Sequence, residues 1–253
     1  MAWTRTYDEP EPQRVNRWLG QSGVCSRREA EGLIAQGLVS IDGEVVADAG
    51  RKILPGQTLV LADAAEASLG GAMTVMVHKP VGVVSSQPEH GQIPAVRLLT
   101  RDNLWGESAQ IPDLDSRLAP VGRLDMDSRG LLILSEDGVV AKAVIGPASE
   151  LDKEYLVTVV GAITARKLAL LRHGLVLDDR QLKPAKVQVV EGQTLRFVLN
   201  EGRNRQIRRM CEAVDLFVSD LFRIRVGPLT LDDLPEGRWR PLTAVERAAL
   251  IGG

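Results

Sequence analysis

The stretch Cys25-Ser26-Arg27-Arg28-Glu29-Ala30, carried on by Leu33, Ile34 and Gly37 and then by Val39-Ser40-Ile41-Asp42-Gly43-Glu44-Val45-Val46, decides the fold of the amino-terminal part of the chain. Ser26 followed three residues later by Glu29 is a capping box: the serine hydroxyl accepts an amide proton that the helix leaves unpaired, and the glutamate reaches back to the serine's own amide. Cys25 can staple onto Ala30, the apolar face continues through Leu33 and Ile34, and Gly37 closes the helix. Residues 38–41 and 44–46 then read as a hairpin, because Asp42-Gly43 accepts the left-handed backbone of a tight turn. Upstream, Val15, Trp18, Leu19 and Ser22 recur at helical spacing, and Gly23 stands where a left-handed helix end wants glycine. Downstream, Pro55-Gly56 turns the chain into a strand over 57–62. Residues 14–62 are thus expected to form a module of two short helices on a small sheet, near the lower size limit for an independent fold.

The flanks read differently. Residues 1–13 contain Asp8, Glu9, Pro10, Glu11 and Pro12, a composition that cannot bury enough surface to offset its ordering entropy, so a flexible tail is expected. Residues 63–71, alanines with a serine and two glycines, read as a linker. From 72 a larger domain is expected to run to 245, leaving 246–253 as a carboxy-terminal tail. Within it, residues 73–77 read as a strand, which Lys79-Pro80 and Gly82 break before Val83-Val84. Prolines spread between Ser85 and Pro120 predict a long, partly irregular insertion. Residues 131–134 form a short buried strand, and Asp137-Gly138 lead into a helix through Val139, Ala143 and Val144. Residues 153–160 alternate as a strand, and Thr164 caps a helix that Gly174 ends. A hairpin joins 186–190 to 194–199, and Ile207, Met210, Cys211 and Val214 form the apolar stripe of a packed helix. The fold class is α+β: a small amino-terminal module and a larger domain on a mixed or antiparallel sheet.

Composition narrows the function. The chain has 253 residues, 44% hydrophobic and 25% charged, as in ordinary globular proteins. Thirty-one Lys plus Arg against thirty-three Asp plus Glu leave a formal charge of -2, so attraction to a polyanion must come from clustering of charge. Cys25 and Cys211 make neither a disulfide framework nor a zinc spacing, which fits a reducing compartment. No apolar run is long enough to span a bilayer and the polar start is no signal peptide, so a cytoplasmic protein without membrane contact is expected. No glycine loop that would cradle a nucleotide's phosphates is present. His78, His90 and His173 have no neighbours that would make a metal site or a nucleophile–base pair.

The richest basic stretch is Arg203-Asn204-Arg205-Gln206-Ile207-Arg208-Arg209, four cations without an acid on the first turns of a helix. Arg14, Arg17, Arg27 and Arg28 make a second patch. Two such patches suit an extended polyanion, whose phosphate oxygens arginine forks can grip. Aromatic residues are only 4% of the chain, so backbone and shape contacts must outweigh base stacking. Gly122-Arg123-Leu124-Asp125-Met126-Asp127-Ser128-Arg129-Gly130 sets two carboxylates in a glycine-flanked loop. Taken alone, such aspartates are more often turn residues than catalysts. Tyr155, the only tyrosine within the expected domains, reads from the sequence alone as a half-buried strand residue.

Taken together, these segments resemble the pseudouridine synthases that act on ribosomal RNA. Gly122-Arg123-Leu124-Asp125 with Ser128 and Gly130-Leu131-Leu132 resembles the family's aspartate motif, Lys153-Glu154-Tyr155-Leu156-Val157 its tyrosine motif, and residues 202–210 its basic motif. Residues 14–62 are similar to the S4 RNA-binding domain that precedes the catalytic domain in many members. Cys25-Ser26-Arg27-Arg28, Arg208-Arg209-Met210-Cys211-Glu212 and Pro235-Glu236-Gly237-Arg238-Trp239 look closest to members acting on the large ribosomal subunit, with a small-subunit member as neighbour. His78 stands where the family usually has asparagine, and residues 100–118 look longer than usual. The resemblance implies isomerisation of a uridine to pseudouridine in a ribosomal RNA stem-loop, with no cofactor; neither a metal nor a nucleotide is expected from the residues, and a monomer is the expectation although the sequence does not fix the oligomeric state. It assigns catalysis to Asp125, paired with Arg208, and to Tyr155. RNA contacts are expected from Arg14, Arg17, Arg27 and Arg28, from Lys79 and Arg123, and from Arg203, Arg205 and Arg209. Rival readings are the same chemistry on small-subunit or transfer RNA, and a non-catalytic S4-type ribosome assembly protein.

Overall fold

A computed structural model describes residues 3–113, 116–173 and 175–252. They divide into two units: the described residues up to Met73 together with Ser135–Lys142, and Thr74–Leu134 with the described residues from Ala143 onward.

In the first unit β1 (Thr4–Thr6) and β2 (Gln13–Arg14) precede α1 (Val15–Ser22) and α2 (Arg27–Ala35), then come β3 (Val39–Ile41), β4 (Glu44–Val45), β5 (Lys52–Ile53), β6 (Thr58–Leu61) and α3 (Asp63–Gly70). The Ser26 box closes in both directions, with Glu29 N donating to Ser26 Oγ at 3.2 Å and Ser26 N to Glu29 Oε2 at 2.6 Å. Asp42 and Gly43 both have positive φ, 49° and 87°, as the tight hairpin requires. The sheet runs β1-β6-β3-β4 and packs with both helices around Trp18, Leu19, Leu33 and Leu59.

Two flanks differ from the sequence expectation. The stretch read as a flexible tail carries β1, antiparallel on β6, and a Tyr7 ring that is 1% exposed and edge-on to Trp18 at 5.3 Å. Its acids and prolines occupy only residues 8–12, and the residues before them bring aromatic surface that the core takes up. The stretch read as a linker is α3, with Ala65 buried and Leu69 packed on the core, because alanine is the best helix former.

The second unit is built on β7 (Thr74–Lys79), β8 (Val83–Val84), β9 (Ile93–Pro94), β10 (Ala119–Val121) and β11 (Arg129–Ser135), then α4 (Gly138–Ile145), whose first residues belong with the first unit. There follow β12 (Lys153–Val160), α5 (Ala165–His173), β13 (Val176–Leu177), β14 (Arg180–Gln181), β15 (Lys186–Glu191), β16 (Thr194–Leu199), α6 (Gln206–Glu212), β17 (Phe217–Val226), β18 (Leu229–Thr230), β19 (Trp239–Pro241) and α7 (Ala244–Ile251). Gly174, expected to end α5, lies outside the described residues. The main sheet runs β15-β16-β12-β17-β11-β7-β19, with β10 on β11 and β18 on β17. It is mixed: β17 lies antiparallel to β12 and parallel to β11. Residues 100–105 fold onto the β19 edge, where Trp239 Nε1 donates to Thr100 O at 2.7 Å and Trp105 N to Trp239 O at 2.8 Å. The expected carboxy-terminal tail is α7, which buries Leu250 and opens on a second capping box, Thr243 with Glu246.

Candidate active site

Residues 122–128 leave β10 as a loop that the neighbouring elements pin from several sides. Ser85 Oγ donates to Leu124 O at 2.6 Å and accepts Leu124 N at 2.8 Å. Gly82 N donates to Met126 O at 2.8 Å, and Ser128 N turns back to Asp125 O at 3.1 Å. Arg223 on β17 is 1% exposed and donates to Leu131 O at 2.7 Å, Gly122 O at 3.0 Å and Arg123 O at 3.4 Å. A buried charge without its own carboxylate needs such hydrogen bonds. Here they hold the loop that carries Asp125. Sequence reasoning missed Arg223; a cation inside an apolar alternating run was the available signal.

Beside this loop lies a cavity of about 550 Å³ lined by Asp125, Met126, Tyr155, Arg123, Lys153 and Arg223, with residues 200–208 on another side. Asp125, Tyr155 and Arg208, far apart in sequence, therefore meet at one cleft. The expected pairing within it needs correction. Arg208 Nη2 donates to Asp127 O at 2.7 Å and to Ser128 Oγ at 3.3 Å and faces Asp127 Oδ1 at 3.3 Å, while its Nε is buried without a partner among the described residues. Arg205 is the residue that reaches Asp125, Nη1 to Oδ2 at 3.5 Å, and it also grips Asp127 at 3.2 and 3.0 Å. The two aspartates stand two residues apart in a tight loop, and Asp127 is the one turned toward both guanidiniums. Burial would raise the Asp127 pKa; the hydrogen bond from Arg205 and the charges of Arg208 and Arg205 outweigh it and hold it below the ordinary value. Arg205 adopts a left-handed backbone, φ 49°, just before α6.

The expected RNA contacts separate into three groups. Arg14, Arg17 and Arg27 are exposed and, with Arg5 and Lys52, line a second cleft within the first unit, beside Asp8, Glu9 and Glu11. None of these side chains has an ion-pair partner among the described residues. Arg28 and Arg123 are also exposed. Arg203 and Arg209 are occupied: Arg209 forks onto Asp178 at 2.8 and 2.7 Å, and Arg203 donates to Gln181 O at 3.1 Å, so both tie down the β13–β14 hairpin. Lys79 contradicts the expectation outright. It is 0% exposed, its amine donates to Val83 O at 2.7 Å and Pro80 O at 2.8 Å, and burial, against the pull of Asp125 and Asp127, lowers its pKa to about 8. It supports the site from inside and cannot reach a polyanion. His78 is buried too, bonded through Nδ1 to Leu234 O at 2.8 Å and stacked on Phe222.

In the second unit the mixed sheet thus sets an aspartate loop, a tyrosine and an arginine cluster around one cavity. Two sequence families match in that order: residues 13–59 match the S4 domain, and residues 73–213 match the RNA pseudouridylate synthase family. The chain belongs to the RNA pseudouridine synthases, which are isomerases. It is 34% identical over 242 residues to an uncharacterized RNA pseudouridine synthase of Aquifex aeolicus (strain VF5), covering 94% of this chain and 93% of that one. It is 35% identical over 234 residues to the dual-specificity RNA pseudouridine synthase RluF of Escherichia coli (strain K12), covering 91% of this chain and 75% of that protein. A crystal structure of a pseudouridylate synthase superposes with a TM-score of 0.65 at 26% identity, covering 94% of this chain and 99% of that one. Among the described residues no helix is long and apolar enough to cross a membrane.

Proposed function

We propose that the chain isomerises a uridine in a folded stem-loop of large-subunit ribosomal RNA, acting as a cytoplasmic monomer, with Asp125 as the carboxylate that meets the ribose and base. The observation that carries the assignment is the convergence of Asp125, Tyr155 and Arg208 on one cavity within a single unit. The bond from C1′ to N1 breaks, the base turns, and C5 bonds to C1′. Asp125 serves as nucleophile toward the sugar or as the group that removes its proton. Arg205 keeps Asp125 company at the cavity mouth. Arg208 acts as a positioning residue, holding the Asp125 loop through Asp127 O and Ser128 Oγ. Tyr155, 8% exposed on the cavity wall, packs on the base and takes a proton from C5.

A uridine in a stem must leave its stack to enter this cavity, at a cost of a few kcal/mol that backbone contacts offset. Arg123, exposed in the same loop as Asp125, fills the vacated space, while Arg14, Arg17, Arg27 and Arg28 hold phosphates. The large subunit is favoured over small-subunit and transfer RNA by the sequence resemblance at residues 25–28, 208–212 and 235–239. The test is a map of pseudouridines in the RNA of a strain lacking the gene, complemented with the wild-type chain or with Asp125→Asn. One large-subunit position should lose its pseudouridine and regain it only with the wild type. A lost position in another RNA would overturn the substrate, and restoration by Asp125→Asn would overturn the residue.

A further inference from the structure

Lys153 is a cation of the cavity wall without a task in the scheme above, and the inference from it rests on the isomerase reading of that cavity. Lys153 opens β12 two residues before Tyr155, and both line the cavity. Its neighbours in sequence are carboxylates, and both are taken. Asp152 accepts Arg225 at 2.6 and 2.9 Å, and Glu154 accepts Arg225 at 2.9 Å and Arg196 at 2.6 Å. The Lys153 ammonium is left with the Leu151 carbonyl at 3.5 Å, a weak bond for a charged donor. Three of the wall's arginines are committed elsewhere: Arg205 and Arg208 to Asp127, and Arg223 to three carbonyls. Burial, aided by the Arg223 charge and opposed by Asp152, lowers the Lys153 pKa from the usual lysine value. A partly buried ammonium with no ion-pair partner among the described residues carries a desolvation cost that an incoming negative charge offsets.

The reaction supplies such a charge. When the C1′–N1 bond breaks with its electron pair leaving on the base, the uracil ring becomes an anion spread over N1, O2 and O4, and a preorganised donor aimed at developing charge stabilises that step most. We propose that Lys153 donates from its ammonium to a carbonyl oxygen of the departing uracil and holds the anion while it turns. C5 then bonds to C1′, the proton that leaves C5 is matched by one that N1 gains, and the lysine ends as it began.

Single-turnover rates of the full chain on large-subunit RNA transcribed with uridine or with 5-fluorouridine test this. Fluorine withdraws electrons from the ring, so the departing anion needs less help; the C5-linked product keeps its fluorine on C5 and takes up water across the C6=N1 bond, and that gain of one water, read by mass spectrometry, reports turnover that required the bond to break. Lys153→Met should slow the uridine reaction about 100-fold, the scale of losing one such donor. On fluorouridine the loss should shrink to about tenfold or less, and Lys153→Arg should recover most of the uridine rate. Because both substrates are compared with one preparation, any misfolded fraction cancels from the ratio. Equal slowing on the two RNAs, or none, would overturn the role of Lys153. Asp125→Asn should be inactive on both; turnover by that variant would count against the Asp125 assignment and leave the Lys153 ratio to be judged by itself.

Discussion

Gly130 and Arg223 show how little room the site's foundation has. Gly130 has φ +113°, and a Cβ there would lie 2.2 Å from the Arg223 carbonyl oxygen where β11 runs beside β17. Gly130→Ala should therefore lower the unfolding free energy by about 3 kcal/mol or more, since backbone strain and a contact that cannot yield combine. Urea titration reads this, and a midpoint equal to wild type would contradict the packing described. At the same scale the sequence made Asp125, Tyr155 and Arg208 legible as members of one site. It could not choose partners among them: Arg205 and Arg208 sit within one helical turn, Asp125 and Asp127 in one loop, and only the loop's path decides which carboxylate meets which guanidinium. Lys79 was misjudged because a lysine's charge is visible in sequence and its burial is not.

At the scale of elements, α7 offers a clean case. Its capping box, Thr243 with Glu246, has the same spacing as the Ser26–Glu29 box that marked α2, and Ala248, Ala249, Leu250 and Ile251 follow it, so the helix at the stretch read as a tail was open to the same local signal. Glu246 accepts Arg240 at 2.9 and 2.6 Å and Thr243 N at 2.8 Å, and the Arg240 bond in particular brings its pKa down to about 2. A carboxylate depressed in the folded state stabilises fully above its unfolded pKa and loses that contribution as pH falls through the folded value. The stability advantage of wild type over Glu246→Gln should be constant above about pH 6, where an unfolded-state glutamate is almost fully ionised, and decline toward pH 2. An advantage unchanged down to pH 2 would contradict the pairing. β17 was missed altogether for another reason. Its Asp220, Arg223 and Arg225 break the apolar pattern of a central strand, and their partners, Arg129, the loop carbonyls, and Asp152 with Glu154, lie too far away in sequence to be seen.

For the whole molecule, a formal charge of -2 places RNA affinity in patches, and the structure separates free arginines from spent ones. Arg17→Ala, removing an unpaired exposed cation, should lower the slope of log affinity against log salt by about one unit. Arg209→Ala should leave that slope unchanged, because its guanidinium already serves Asp178. Filter binding across a salt series reads both, and equal slopes for the two variants would contradict the division. The order of modules was legible from local signals, a capping box, a hairpin and spaced motifs. The helix at 63–70 and the strand at 4–6 were not: the helix docks Ala65 and Leu69 on the core, and the strand, exposed at all three residues, depends on backbone pairing with β6. The most direct test of the account is tritium release from ribosomal RNA labelled at uridine C5, with wild type and Asp125→Asn matched for RNA affinity. Release by wild type and none by the variant is the predicted result; equal release by both, at equal binding, would contradict it.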